Sequence, residues 1–174
     1  MGGWRMLRAI ALLPGAMTVL LPAALIYVQG GPKIAFGLTT PLAAIVVLAG
    51  AALLVVGLVL FYRTVSLFAA VGRGTLAPWD PTRRLVVLGP YRHVRNPMIT
   101  GVLSVLLAEG LILGSVSILV AGAIFFAVNA TYIPLVEERG LIERFGDSYL
   151  AYKRNVPRWI PRLRPWSRTD EFRP

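Results

Sequence analysis

The chain has 174 residues, of which 56% are hydrophobic and 15% charged, with 18 Lys and Arg against 8 Asp and Glu. Such a balance points to one domain built from membrane spans. The charge of +10 gathers at the ends of apolar runs and in one loop, which argues against nucleic-acid binding, while zero cysteines and a single histidine, His93, exclude disulfides, thiolate chemistry and a histidine-rich metal centre.

Arg5 and Arg8 precede an apolar run over residues 10–28. That run is too long for the apolar part of a signal peptide and continues past Pro22-Ala23-Ala24, so it reads as a retained first span, bent at Pro14 and Pro22. Gln29-Gly30-Gly31-Pro32 is a turn, and a second span covers residues 38–62. In the loop that follows, Gly72-Arg73-Gly74-Thr75 reads as a turn, Trp79 suits the interface and Asp80-Pro81 starts a helix. Leu85-Val86-Val87-Leu88 is strand-like or pressed onto the membrane, and Gly89-Pro90 ends it. Asn96 is a good N-cap and Pro97 a good first helical residue, opening a third span over 97–113. After the short turn Gly114-Ser115 a fourth span runs over 116–136. Phe145, Tyr149 and Tyr152 share one helix face, so an amphipathic helix should lie along the interface to Arg154 and end at Pro157 and Pro161. The tail beyond Arg162 reads as polar and poorly ordered.

The expected fold is an all-α integral membrane protein with about four transmembrane helices and a C-terminal amphipathic interfacial helix. Residues 1–62 hold two spans, 63–160 the functional core and 161–174 a polar tail. Seventeen of the 18 basic residues fall in the two ends and the long second loop, which places those segments in the cytoplasm, at the cell (inner) membrane.

The stretch from Gly89 to Pro97 carries Arg92, His93 and Arg95 into a helix start. Unpaired N–H groups and the positive dipole end there suit a carboxylate or phosphate, although these arginines could equally anchor the helix to anionic headgroups. Glu137 and Glu138 stand where the fourth span leaves the membrane, unfavourably for the helix dipole, and so call for a cationic partner or ligand unless they are simply solvated. His93 is a plausible general base and also a commonplace surface residue. Glu109 lies inside the third span but close enough to its far end to reach the opposite interface. Asn129 and Thr131 read as interhelical hydrogen-bonding residues. Neither a dinucleotide-binding glycine fingerprint nor a phosphate-binding loop is present.

On these pieces the chain resembles the membrane-embedded methyltransferases of the isoprenylcysteine carboxyl methyltransferase and phospholipid methyltransferase superfamily. The matching residues are Gly72-Arg73-Gly74-Thr75, Trp79-Asp80-Pro81, Leu85-Val86-Val87 and Gly89-Pro90-Tyr91-Arg92-His93-Val94-Arg95-Asn96-Pro97-Met98. They continue as Glu137-Glu138-Arg139, Phe145-Gly146-Asp147-Ser148-Tyr149, Tyr152 and Val156-Pro157-Arg158. The resemblance implies methyl transfer from S-adenosyl-L-methionine to a lipophilic or lipid-borne acceptor. It would place Arg84, Leu85, Val86, Val87 and Tyr91 along the cofactor, Asn96, Pro97, Met98 and Ile99 at its methionine part, and Glu137 as an acceptor of its hydrogen bonds. Arg95, Glu138 and His93 form the candidate catalytic set, and no metal is expected.

Asn96 and Ile99 stand where the family motif often has His and Tyr. Ile133 stands where carboxyl methyltransferases carry an arginine, which points away from a prenylcysteine carboxylate and towards an amine, a thiol or another lipid-like acceptor. Two other readings remain at this stage: an NADPH-dependent sterol-reductase-like enzyme, and a non-catalytic membrane protein that keeps the fold.

Overall fold

The computed structural model describes residues 11–68, 70 and 85–167, with side chains from residue 14 onward. Arg84, Trp79, Asp80-Pro81 and the turn at Gly72 to Thr75 lie outside them. The described residues form helices and connecting turns, with no strand among them. A π-helical stretch Ala11–Leu20 passes into α1 (Leu21–Val28), followed by α2 (Leu42–Leu67), α3 (Pro97–Ile112) and α4 (Val116–Tyr132). A π-helical turn, Ile133–Glu137, joins α4 to α5 (Glu138–Phe145), and α6 (Asp147–Asn155) follows.

Among the described residues two helices are long and apolar enough to cross a membrane: α2, and the continuous Val116–Phe145 helix made by α4 and α5. The expected first and third spans appear as shorter apolar helices, Pro14–Val28 and Pro97–Ile112. At 1.5 Å per residue the latter rises only about 24 Å, against a hydrocarbon thickness of about 30 Å. The second span begins and ends some residues later than the hydropathy suggested, because Pro41 sits at the N-cap and the helix carries on to Leu67. Ile45, Leu48 and Val55 on α2 and Val116, Val120 and Ile124 on α4 are exposed. Apolar side chains that point outward from long helices are what lipid would cover.

The most extensive helix pair is α2 against α3. Gly50, Gly57 and Thr64 are the buried residues of α2. Their seven-residue spacing puts them on one line along the helix. A Cβ at Gly57 would lie 2.8 Å from the Gly101 carbonyl oxygen and 2.8 Å from Val105 Cγ2. The two backbones therefore meet with no side chain between them, the packing that small residues permit in apolar surroundings. Thr64 turns its hydroxyl back onto the Leu60 carbonyl.

α3 and α4 form the expected tight hairpin, with Val102, Leu106 and Ile118 buried between them. Gly114 takes a positive φ of 60° at the turn. Any side chain there would run into the Lys33 carbonyl and the Phe36 backbone, so the first loop lies directly over the turn. Lys33 N–H donates to the Leu113 carbonyl (3.0 Å). Ser115 Oγ donates to Gln29 Oε1 (2.7 Å) and accepts from Ile118 N–H, capping α4.

At the opposite end of the hairpin a second core forms from Tyr149, Tyr152, Val156 and Trp166, with Leu85, Val87, Leu141, Ile142 and Phe145 packed on it. The single amphipathic helix expected to run to Arg154 is instead two short helices, α5 and α6, broken at Gly146 (φ 53°, ψ −132°). Residues 85–87, read as strand-like or membrane-pressed, belong to no regular element and pack on this aromatic core. The tail expected to be poorly ordered holds a core residue, since Trp166 is 4% exposed, while residues 168–174 lie outside the described residues.

Candidate functional site

The loop that leads into α3 is tied on both sides by backbone bonds. A short turn at Gly89–Arg92 buries Tyr91, whose ring meets Phe68 edge-on at 5.7 Å. Tyr152 Oη donates to the Tyr91 carbonyl (2.7 Å). Arg92 Nε donates to the Trp166 carbonyl (2.7 Å) and Trp166 N–H returns a bond to the Arg92 carbonyl (2.9 Å). Arg162 N–H donates to the His93 carbonyl (3.0 Å). His93 Nδ1 lies 2.8 Å from the Arg162 carbonyl oxygen. A carbonyl only accepts, so Nδ1 carries a proton, and in the neutral ring Nε2 is the acceptor.

Arg95 and Glu138 come together. Glu138 is 1% exposed. Its Oε1 accepts from Arg95 Nη1 (2.8 Å) and Arg158 Nε (2.8 Å), and Lys153 Nζ stands 2.8 Å from Oε2. Burial pushes this carboxyl up, but the bonds from Arg158 and Lys153 and the charge of Arg95 outweigh burial and hold it below the usual carboxylate range. Removing a carboxylate from water is costly, and three cations at hydrogen-bond distance offset that cost. Four segments meet at this one side chain: the loop before α3, the start of α5, the end of α6 and the chain beyond it. Arg95 also reaches Tyr149 Oη (3.4 Å). Burial first, and then the Glu138 charge, push the Tyr149 phenol up to about 12, with Arg95 opposing. Burial raises the phenols of Tyr152 and Tyr91 well above their ordinary range.

Glu137 differs from its neighbour. It is exposed, and among the described residues it has neither a hydrogen-bond partner nor a salt bridge. The preceding turn explains the contrast. Pro134 lacks an N–H, so the helix widens to a π-turn over Ile133–Glu137. That turn points Glu138 inward and leaves Glu137 outside.

Asn96 occupies the N-cap position of α3 but makes no capping bond with its side chain. Nδ2 reaches instead towards the Arg158 carbonyl (3.4 Å), against the sequence expectation of an Asn cap. Pro97 has no N–H, and the first helical bond from the cap is Thr100 N–H to the Asn96 carbonyl (3.1 Å). The N–H groups of Met98 and Ile99 thus have no protein acceptor among the described residues, at the positive end of a 16-residue helix.

Of the remaining expected site residues, Leu85 and Val87 pack on the aromatic core and Val86 is buried. Arg84 lies outside the described residues. Glu109 is half-buried on α3 with Oε2 unpartnered among the described residues. Asn129 and Thr131 bond within their own helix, to the Phe125 and Ala127 carbonyls, rather than across helices. The pairing of Lys153 and Arg158 with Glu138, and of Tyr149 with Arg95, is not legible in the sequence. The signal available was an acidic pair followed by basic residues on either side of the helix-ending Pro157.

Among proteins of known family, the phospholipid methyltransferase model matches residues 45–148. Methanethiol S-methyltransferase 2 of Bradyrhizobium diazoefficiens is 38% identical over 85 residues, a match that covers 47% of this chain and 30% of that protein.

Proposed function

Because the chain belongs to the phospholipid methyltransferase family, we propose that it is a membrane-embedded enzyme that uses S-adenosyl-L-methionine to methylate a lipophilic acceptor at the cytoplasmic face of the cell membrane. In this reading Ala11–Leu20 with α1, α2, α3 and α4 are the spans, and α5 and α6 rest at the interface. The basic residues of the long loop and the C-terminal part face the cytoplasm.

The observation that carries the proposal is the pairing of two unlike features. The α3 start has N–H donors at Met98 and Ile99 with no protein acceptor among the described residues, and the α4–α5 junction has an exposed carboxylate at Glu137 that no hydrogen bond engages, with the Arg144 charge near it. The Arg95–Glu138 bond fastens the two elements to each other. A ligand that combines a carboxylate with cationic and hydroxyl groups suits such a pair. When bound, S-adenosyl-L-methionine supplies an electrophilic methyl on a sulfonium sulfur. Asn96, Pro97, Met98 and Ile99 would hold the carboxylate end, while Glu137 would accept from hydroxyl or ammonium groups. Arg84, Leu85, Val86, Val87 and Tyr91 would line the remainder. Arg95 and Glu138 then act by fixing the loop against α5. His93, with Nε2 open, would take a proton from the acceptor. The acceptor enters from the bilayer, and orientation of its nucleophile next to the methyl is the main catalytic contribution.

A neutral nucleophile is favoured by Ile133, which is 2% exposed and apolar. Methanethiol, the acceptor in the relative's name, makes a thiol the first class to test. Calorimetry on the detergent-purified protein should show saturable S-adenosyl-L-methionine binding that Glu137→Ala weakens about tenfold or more, the loss of one charge-assisted bond. An alkanethiol and a primary amine presented in mixed micelles then separate S- from N-methylation. Preference for NADPH, or binding of neither ligand by folded protein, would overturn the reading.

A further inference from the structure

We infer that residues 158–164 form a membrane anchor, which sets Ile160 and Leu163 among the lipids of the nearer leaflet and holds anionic phospholipid headgroups with Arg154 and Arg164. Ile160 is 80% exposed and Leu163 97% exposed. Neither is on a loose end. Pro157 accepts from Arg95 N–H (2.9 Å) before them, and Arg162 N–H and Trp166 N–H bond to the His93 and Arg92 carbonyls around and after them. A backbone tied at that many points holds its two large apolar side chains outward, a costly arrangement in water that a bilayer reverses.

The position of the segment identifies the bilayer as what covers them. Trp159 meets Phe126 edge-on with ring centroids 5.2 Å apart. Phe126 is an exposed residue of α4, on the same helix as the outward-facing Ile124 and Val128. The segment is therefore continuous with the lipid-facing surface of a helix long enough to span. Charge gives the second half of the argument. From Ser148 to Ser167 the chain has five basic residues and no acidic one. Lys153 and Arg158 are taken up by Glu138, and Arg162 Nη1 donates to the Asn155 carbonyl (3.0 Å). Arg154 and Arg164 are exposed, with no partner among the described residues. Two free guanidinium groups beside inserted apolar side chains complement phosphate headgroups, and bidentate contacts make arginine well suited to them.

The inference rests on α4 lying in the bilayer and not on methyl transfer, and its readouts need no activity. The full chain is placed in nanodiscs of phosphatidylcholine with or without phosphatidylglycerol. Lipids brominated near the headgroup should quench Trp159, measured as the difference between the native chain and Trp159→Phe. Spin-labelled phosphatidylglycerol should be retained over phosphatidylcholine. Arg154→Gln with Arg164→Gln should reduce that preference by about fivefold for each arginine. Ile160→Ser with Leu163→Ser should reduce retention of both lipids while the melting temperature stays within a few degrees. Trp159 fluorescence quenched by aqueous acrylamide and not by brominated lipid would overturn the anchor. An unchanged lipid preference in the double-arginine variant would overturn the headgroup contact.

Discussion

The α2–α3 seam and the cluster around α5 and α6 are held by opposite chemistry. Along α2 and α3 the contact is backbone on backbone: Gly57 faces Gly101 and Val105 with no room for a side chain. Around α5 and α6 the contact is made by large and charged groups, with Glu138 gripped by Arg95, Lys153 and Arg158, and Tyr149, Tyr152 and Trp166 packed on one another in the aromatic core. In lipid the hydrophobic effect does not drive two apolar helices together, so close approach and dispersion must do it. Where water is near, burial of aromatic surface is available, and a desolvated carboxylate selects one arrangement of four chain segments. The glycine seam supplies a rigid platform, and the charged cluster fixes where the loop before α3 sits on it.

This contrast can be broken most strongly at Glu138. Glu138→Gln leaves Arg95, Lys153 and Arg158 without their counter-charge, and should destabilise the polar end by about 3 kcal/mol, the low end for such a deletion because Lys153 and Arg158 reach solvent. Limited proteolysis between Gly146 and Ser167 should accelerate, while the helicity of the apolar helices should persist. The sign of the acid response follows from the lowered pKa. The stabilisation from Glu138 is present above the unfolded glutamate value, about 4.3, and is lost as pH falls through the folded value. Glu138→Gln should remove that part of the acid sensitivity.

The seam is tested next. Gly57→Val should cost about 1–3 kcal/mol through overpacking against the Gly101 carbonyl and Val105, read as a lower melting temperature in detergent. Gly140→Val serves as its control for steric clash, because a side chain at Gly140 meets nothing within 4 Å. Equal losses at the two sites would remove the distinction between a seam and an ordinary helix surface.

The smallest effect is expected at alkaline pH, and only at the polar end. Tyr149 is raised to about 12, so its contribution is complete below the unfolded tyrosine value of about 10 and is lost as pH rises towards 12. Tyrosinate absorbance should therefore appear together with exposure of Trp166, and Tyr149→Phe should flatten that transition.

Much of the architecture is legible in the chain. The apolar runs, the hairpin at Gly114-Ser115, the helix start at Pro97 and the pieces from Leu85 to Pro97 all depend on local composition and turn chemistry. Three features were not legible, and each involves residues far apart in sequence. Trp166 was assigned to a polar tail because a single aromatic gives no periodicity, yet its backbone bonds to Arg92. The spacing of Gly50, Gly57 and Thr64 is present in the sequence, but its partner, Gly101, is known only from the packed pair. The break at Gly146 was hidden because Phe145, Tyr149 and Tyr152 do share a common core, from two helices instead of one.

The division between Glu137 and Glu138 marks the boundary most clearly. The sequence by itself determined that an acidic pair follows an apolar helix, that basic residues surround it, and that the chain belongs with membrane helices: composition, charge order and turn residues act over a few positions at a time. Only the tertiary structure decided which carboxylate is buried. Neighbouring residues on a helix point about 100° apart, and the π-turn at Pro134 sets their rotation. Which of the two then faces Arg95, Lys153 and Arg158 depends on where three distant segments dock, a free-energy balance that no local pattern encodes.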